Sequence, residues 1–214
     1  RLLSSAASDV YKRQPHHHFN VGTTSGNWWN GVRDENDIPL TMMRDGTPNG
    51  YSYITFNGTQ YIIDWKVSGK PEDYRMNIHT PRGVKEEESS STPITVNFFN
   101  GSEQSELSFR VLGETEWVKM DQVSKKDPFY SLIYERFNDF NSLKIKESWE
   151  NDSQLKDKSY PLIKRMYEAN NSTHLWQSKI GTSLTEGVHI IEVMVKDRYD
   201  REFKDYHSIR IVKD

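Results

Sequence analysis

Two runs rich in β-branched and aromatic residues flank an Asn-Gly pair in YSYITFNGTQYIIDWKV, residues 51–67. Asn and Gly tolerate positive φ, so the pair favours a two-residue turn between antiparallel strands. Closing that turn with Phe56 opposite Thr59 sets Ile54 against Tyr61, Ser52 against Ile63 and Tyr53 against Ile62. Phe56, Ile54, Tyr61, Ile63 and Trp65 then share one face. Just upstream, DGTPNGY at 45–51 reads as one tight turn, in which Pro presets φ and Asn or Gly accepts positive values.

Further along, PRGVKEEESSSTP at 81–93 is charged and serine-rich, the composition of an exposed linker. PITVNFFN, SELSFRVLG and EWVKMDQV follow as three short strands. DPFYSLIYERFNDF then changes period: Asp127 stands at an N-cap, Pro128 at the first helical position. Phe129, Leu132, Ile133, Arg136, Phe137 and Phe140 recur at helical spacing. A second short helix is expected near 161–169. Strands resume in HLWQSKI, GVHIIEVMVKD and HSIRIVK, where Ile191, Val193 and Val195 alternate towards one face. The expected fold class is mainly β: a small hairpin segment over 15–82, a linker over 83–92, and an immunoglobulin-like β-sandwich over 93–214. A helical insertion interrupts the sandwich at about 127–170.

Composition narrows the functional classes. The hydrophobic fraction is 34% and the mean hydropathy −0.84, which implies a thin core. Nine Phe, six Trp and eleven Tyr compensate, since each can bury much area. A net charge of −3 gives no electrostatic case for nucleic acid or an anionic membrane. No run approaches the roughly 18 apolar residues of a spanning helix. With no cysteine, disulfides and thiolate zinc sites are excluded. Asn57, Asn100, Asn151 and Asn171 begin sequons, which chance supplies readily in an Asn- and Ser-rich chain.

His16-His17-His18 is the obvious metal candidate. Consecutive residues of an extended chain point to alternate faces, so at most His16 and His18 share one side. No carboxylate nearby has a recognised ligand spacing, and hydrogen bonding or packing is the favoured role. The calcium-loop template counted from Asp34 fails, because Pro39 and Asp45 fall where Gly and Glu are required. Asp205 and His207 form an Asp-x-His pair without a partner motif. There is no phosphate-binding glycine loop, no G-x-S-x-G elbow and no cysteine nucleophile. Trp28 and Trp29 can stack on a sugar or nucleotide, or anchor their loop in a core.

SSAASDVYKRQ, residues 4–14, resembles the in-frame translation of a transposase-type sequencing adapter. It has no apolar core of a secretory signal. Residues 1–14 are therefore set aside as non-native, and the chain is expected to be the translation of a DNA fragment. HHHFNVGTTSGNWWNG, IPLTMMRDGTPNGYSYITFNG and DWKVSGKPEDYRMNIHTP closely resemble the C-terminal domain of bacterial calcineurin-like metallophosphoesterases. HLWQSKI and the strands after GVHIIEV fit the same proteins, with Asp200 where a turn glycine is expected.

The resemblance implies an upstream catalytic domain holding two divalent metal ions through Asp-x-His, Gly-Asp, Gly-Asn-His-Asp/Glu and Gly-His-x-His motifs. That set is not assembled here: there is no Gly-Asp dipeptide, Gly26-Asn27 is followed by Trp28, and no His follows a Gly. It implies an accessory domain without catalytic residues or a cofactor of its own, whose partner is the catalytic domain, and a parent exported to the periplasm or beyond. The substrate-proximal candidates are His16, His18, Asn27, Trp28 and Trp29 on the first loop, with Asp45 and Asn49 on the next turn. The alternatives are a sandwich module that binds carbohydrate, envelope or a protein partner, and weak metal-dependent activity through His16 and His18.

Overall fold

The computed structural model describes residues 17, 19–26, 40–151 and 166–213, with side chains over 17, 19–26, 40–139 and 166–213. In chain order the strands are β1 (Gly50–Asn57), β2 (Gln60–Val67), β3 (Met76–His79) and β4 (Val84–Lys85). After a 3-10 helix (Glu86–Ser91) come β5 (Pro93–Phe98), β6 (Glu106–Val111), β7 (Val118–Lys119) and β8 (Asp121–Lys126). The helix α1 (Pro128–Asn151) precedes β9 (Asn171–Lys179), β10 (Gly187–Lys196) and β11 (Glu202–Val212). The described residues hold eleven strands and one α-helix, so the fold is mainly β as the sequence implies.

Two sheets form a sandwich. One has the order β4-β11-β10-β6-β7, the other β3-β5-β9-β8, and β1-β2 stands as a separate pair. Alternation explains the core. Ile191, Val193 and Val195 of β10 are fully buried and lie opposite Val111, Phe109 and Leu107 of β6. Ile94, Val96 and Phe98 of β5 meet them from the other sheet, with Trp176 filling the centre. β3 comes from the segment before the expected linker yet pairs antiparallel with β5.

Four details differ from the sequence expectations, each for a local reason. The hairpin pairs Asn57 with Gln60, Ile54 with Ile63, Ser52 with Trp65 and Tyr53 with Asp64, a register two residues away from an Asn57-Gly58 turn. Gly58 has φ 60° and Thr59 is not in the left-handed region, the requirement of a turn with Gly at its first central position. In the 45–51 stretch only the first half turns: Gly46 N–H donates to Met43 O at 2.9 Å and Met43 N–H to Thr47 O at 2.8 Å. Gly50 opens β1 and is glycine for space, because a Cβ there would lie 2.2 Å from Lys66 O.

The stretch expected as a linker carries β4, parallel to β11, and the 3-10 helix. Ser89, fully buried, donates to Glu86 O at 2.7 Å and accepts Leu184 N–H at 3.0 Å. Serine hydroxyls here satisfy backbone groups that composition assigns to water. EWVKMDQV is two strands in two sheets: β7 pairs with β6, β8 with β9, and buried Met120 marks the crossing.

α1 begins as expected. Asp127 Oδ1 accepts Tyr130 N–H at 2.7 Å, an N-cap bond. Its inward stripe is buried at Tyr130 and Phe137 and half-buried at Ile133 and Tyr134, while Arg136 faces water. Phe140's side chain and most of the expected 161–169 helix lie outside the described residues, and 166–169 carry no helix. Asp200 has φ 61°, a left-handed conformation, at the turn where glycine was expected.

Trp176→Ala should lower unfolding free energy by about 3–5 kcal/mol through loss of burial and a residual cavity. Val188→Ser, at a position 67% exposed, should change it by less than about 0.5 kcal/mol. Urea unfolding of the two variants measures the contrast.

Candidate functional site

The two sequence-chosen residues that lie in described structure, Asp45 and Asn49, sit on one loop but hold different neighbours. Asn49 Nδ2 donates to Thr24 O at 3.1 Å and its backbone N–H to Thr41 O at 3.2 Å, tying the loop to the turn at 23–26. Asp45 Oδ1 accepts Thr47 N–H at 3.0 Å, and its Oδ2 lies 3.4 Å from His174 Nε2. His16, His18, Asn27, Trp28 and Trp29 lie outside the described residues.

His174 belongs to a buried polar chain that runs beneath the loop. Its proton positions follow from one end. Asp127, fully buried, accepts from Tyr130 N–H through Oδ1 and from Asn97 Nδ2 through Oδ2 at 2.9 Å. A carboxylate accepts only, so Asn97 must turn its amide nitrogen to Asp127 and its oxygen away. That oxygen lies 2.7 Å from His174 Nδ1, which therefore carries hydrogen. In the neutral ring, Nε2 accepts the Thr47 hydroxyl hydrogen at 3.2 Å. A proton on Nε2 would be directed to Asp45.

Local backbone geometry makes these contacts possible. Asn97 is inside β5 but on the face away from the Ile94, Val96 and Phe98 core. In β9, Thr173 and His174 together oppose Ser124 of β8, because the register shifts by one residue between Val123 and Lys125. Such a bulge re-aims a side chain, here towards Asn97. Gly46 has φ 87°, and a Cβ on it would lie 2.3 Å from Asp127 Cβ, so only glycine lets the loop rest on the cap residue.

His79 of β3 approaches the same carboxylate without bonding it: Nε2 is 3.9 Å from Asp127 Oδ2 and finds no partner among the described residues. Its ring stacks on Phe129 at 6.0 Å. Burial lowers the His79 pKa; the Asp127 charge opposes this and His207 adds to it. Burial likewise lowers that of His207, whose Nε2 lies 3.0 Å from Thr80 Oγ1. Burial raises the Asp45 carboxyl, but with a proton on His174 Nε2 the His174 hydrogen bond and charge, together with the Thr47 amide and the hydroxyl then released to Asp45, bring it down to about 2.

The groups of this chain hold one another in place, and its one hydroxyl, on Thr47, is buried. Among the described residues no three His, Asp or Glu side chains gather as a metal site. Sequence reading did not pick out Asn97, His79 or His174, and saw Asp127 only as a helix cap. The one available signal was Asn97, a polar residue within the apolar run of β5.

Asn97→Ala would leave both Asp127 Oδ2 and the His174 Nδ1–H unpaired. It should cost about 3 kcal/mol in urea unfolding, well above an ordinary surface substitution. The buried histidines set a pH dependence. A folded-state pKa below the unfolded 6.5 means that the unfolded chain binds more protons, so stability is full above pH 6.5 and falls as pH drops below it. His79→Phe should flatten the slope of melting temperature between pH 7 and 5, whereas an unchanged slope would remove His79 as its source. Asp45 contributes in a lower window: its share is present above 3.8 and lost as pH falls towards about 2.

The described helix is not long and apolar enough to cross a membrane. Comparison with known proteins finds no matching curated protein and no matching solved structure. A family described as C terminal of calcineurin-like phosphoesterase matches residues 18–203, which spans the polar chain, the hairpin and the sandwich as far as the start of β11. The chain belongs to this family of calcineurin-like phosphoesterase C-terminal domains.

Proposed function

We propose that this chain is an accessory C-terminal β domain of a calcineurin-like, metal-dependent phosphoesterase and does not hydrolyse phosphoesters by itself. The family match over residues 18–203 carries the reading. Two divalent metal ions in such enzymes generate the nucleophile and clamp the phosphate, work that belongs to an upstream catalytic domain. The sequence supports this division, having no Gly-Asp dipeptide and no Gly followed by His.

In this reading residues 15–82 adjoin the catalytic domain and 93–214 form the supporting sandwich. The Asp45–Asn49 loop is the substrate-proximal part. His174 and Thr47 hold Asp45 from below, and its side chain keeps 38% exposure, enough to meet a neighbouring domain or a substrate. His16, His18, Asn27, Trp28 and Trp29, outside the described residues, keep the substrate-proximal role that the resemblance implies.

The test is turnover of p-nitrophenyl phosphate and bis(p-nitrophenyl) phosphate with Mn2+, Zn2+ or Mg2+ present. The chain alone should match buffer, and the intact parent should hydrolyse at least one substrate. Asp45→Ala and Asn49→Ala in the parent should alter KM or kcat. Metal-dependent turnover by the chain alone, or a parent with none, would sink the proposal.

A further inference from the structure

The two-stranded hairpin is held on one side and bare on the other. β2 is the held strand. Ile63, Trp65 and Val67 are buried, and Asp64 sits between Arg75 at 2.7 Å and Arg201 at 3.0 Å. Its outer edge is capped by side chains: Ile63 N–H donates to Tyr199 Oη at 3.2 Å, and Asn100 Nδ2 donates to Ile63 O at 2.7 Å. β1, in contrast, pairs with no strand except β2 among the described residues. Along it Ile54 is 47% and Phe56 71% exposed, beside Tyr51 and Tyr53, also exposed. An open, apolar edge strand is an aggregation hazard unless something covers it.

The course of the incoming chain indicates what covers it. His17 stacks on Tyr61, with ring centroids 5.7 Å apart. Arg198 can only donate, so it donates to His17 Nε2 at 2.7 Å; His17 Nδ1–H then donates to Tyr61 Oη at 2.6 Å. Gly22 lies against Trp65, and Thr23 O accepts Gly50 N–H. From His17 to Thr23 the chain therefore runs from the tip of the hairpin to its base, along β2. His17, the first of the described residues, thus stands at the tip, where the Phe56 and Tyr61 ring centroids are 6.2 Å apart.

We infer that the exposed Ile54–Phe56 face and the open edge of β1 are the docking surface for the catalytic domain that precedes this chain in the parent, an inference that rests on the function proposed above. The occupant is an apolar surface of that domain, delivered to the tip by the chain entering at His17. Covalent connection there keeps its local concentration high, so a small apolar contact suffices. Docking through the edge also pairs outward backbone groups of β1 beyond Gly50, an edge that no other strand pairs among the described residues.

Hydrogen–deuterium exchange of the intact parent against this chain alone tests the surface, with turnover measured on the same parent preparation. Exchange over residues 51–57 should be at least about tenfold slower in the parent. An Ile54→Ser/Phe56→Ser variant of the parent should restore fast exchange there, while the same pair in this chain leaves its melting temperature nearly unchanged and Val188→Ser in the parent leaves protection intact. Equal exchange in an active parent overturns the docking surface and leaves the function standing. A parent without turnover overturns the function and the partner's identity with it. Protection that appears in this chain alone and grows with its concentration assigns the edge to a second copy, and overturns the inference.

Discussion

A single buried carboxylate sets the geometry of much of this domain. Asp127 has no access to water, and an isolated charge there would cost several kcal/mol. Its oxygens must be met by donors, and the donors come from different parts of the chain: Tyr130 N–H from the first turn of α1, and Asn97 Nδ2 from the middle of β5. Once the Asn97 amide is committed, the rest follows by elimination. Its oxygen requires a hydrogen on His174 Nδ1, and that leaves Nε2 to meet Thr47 and Asp45. One acceptor-only group thereby links a helix, two strands and a loop, and fixes a tautomer at the far end.

A second charged cluster does the equivalent for the hairpin. Asp64, on the face of β2 opposite Trp65, receives Arg75 and Arg201, and Arg201 also binds Asp197 at 2.8 Å. Both guanidinium groups lie over the Phe203 ring, at 4.5 and 5.3 Å. Burial would raise the Asp64 carboxyl, but its bonds to Arg201 and Arg75 hold it below the ordinary carboxylate value. The planar fork of arginine can serve two carboxylates and stack on an aromatic at once, which lysine cannot. This cluster joins β2 to the β10–β11 turn, so the hairpin is anchored on the sandwich through one strand only.

The contrast between what was legible and what was not has a physical pattern. Local signals were readable: the Asp127–Pro128 helix start and the alternation of Ile191, Val193 and Val195 both appear in the structure. Each depends on a residue and its immediate neighbours. The hairpin itself was legible but its register was not, because Asn57-Gly58 and Gly58-Thr59 both satisfy a two-residue turn and only packing separates them. The site was least legible. His174 faces Asn97 because of a bulge in β9, and Asn97 faces Asp127 because α1 begins beside β5. Such contacts join residues 30 and 77 positions apart and leave no periodic trace. Family resemblance reached the right class because it reads the sum of these constraints without resolving any of them.

The two clusters together bear on the accessory role proposed above. Here one carboxylate, Asp127, and two imidazoles, His79 and His174, are turned inward, and through Asn97 and His174 the carboxylate orients the Asp45–Asn49 loop. The bare apolar surface lies at the hairpin tip, where the chain enters. Inward polarity under a loop and outward apolarity beside the entry point suit a rigid frame that carries one loop to a neighbouring domain. In such a frame the loop's precision comes from Asp127 and Asn97, residues that need never touch a substrate for their hydrogen bonds to govern where Asp45 stands.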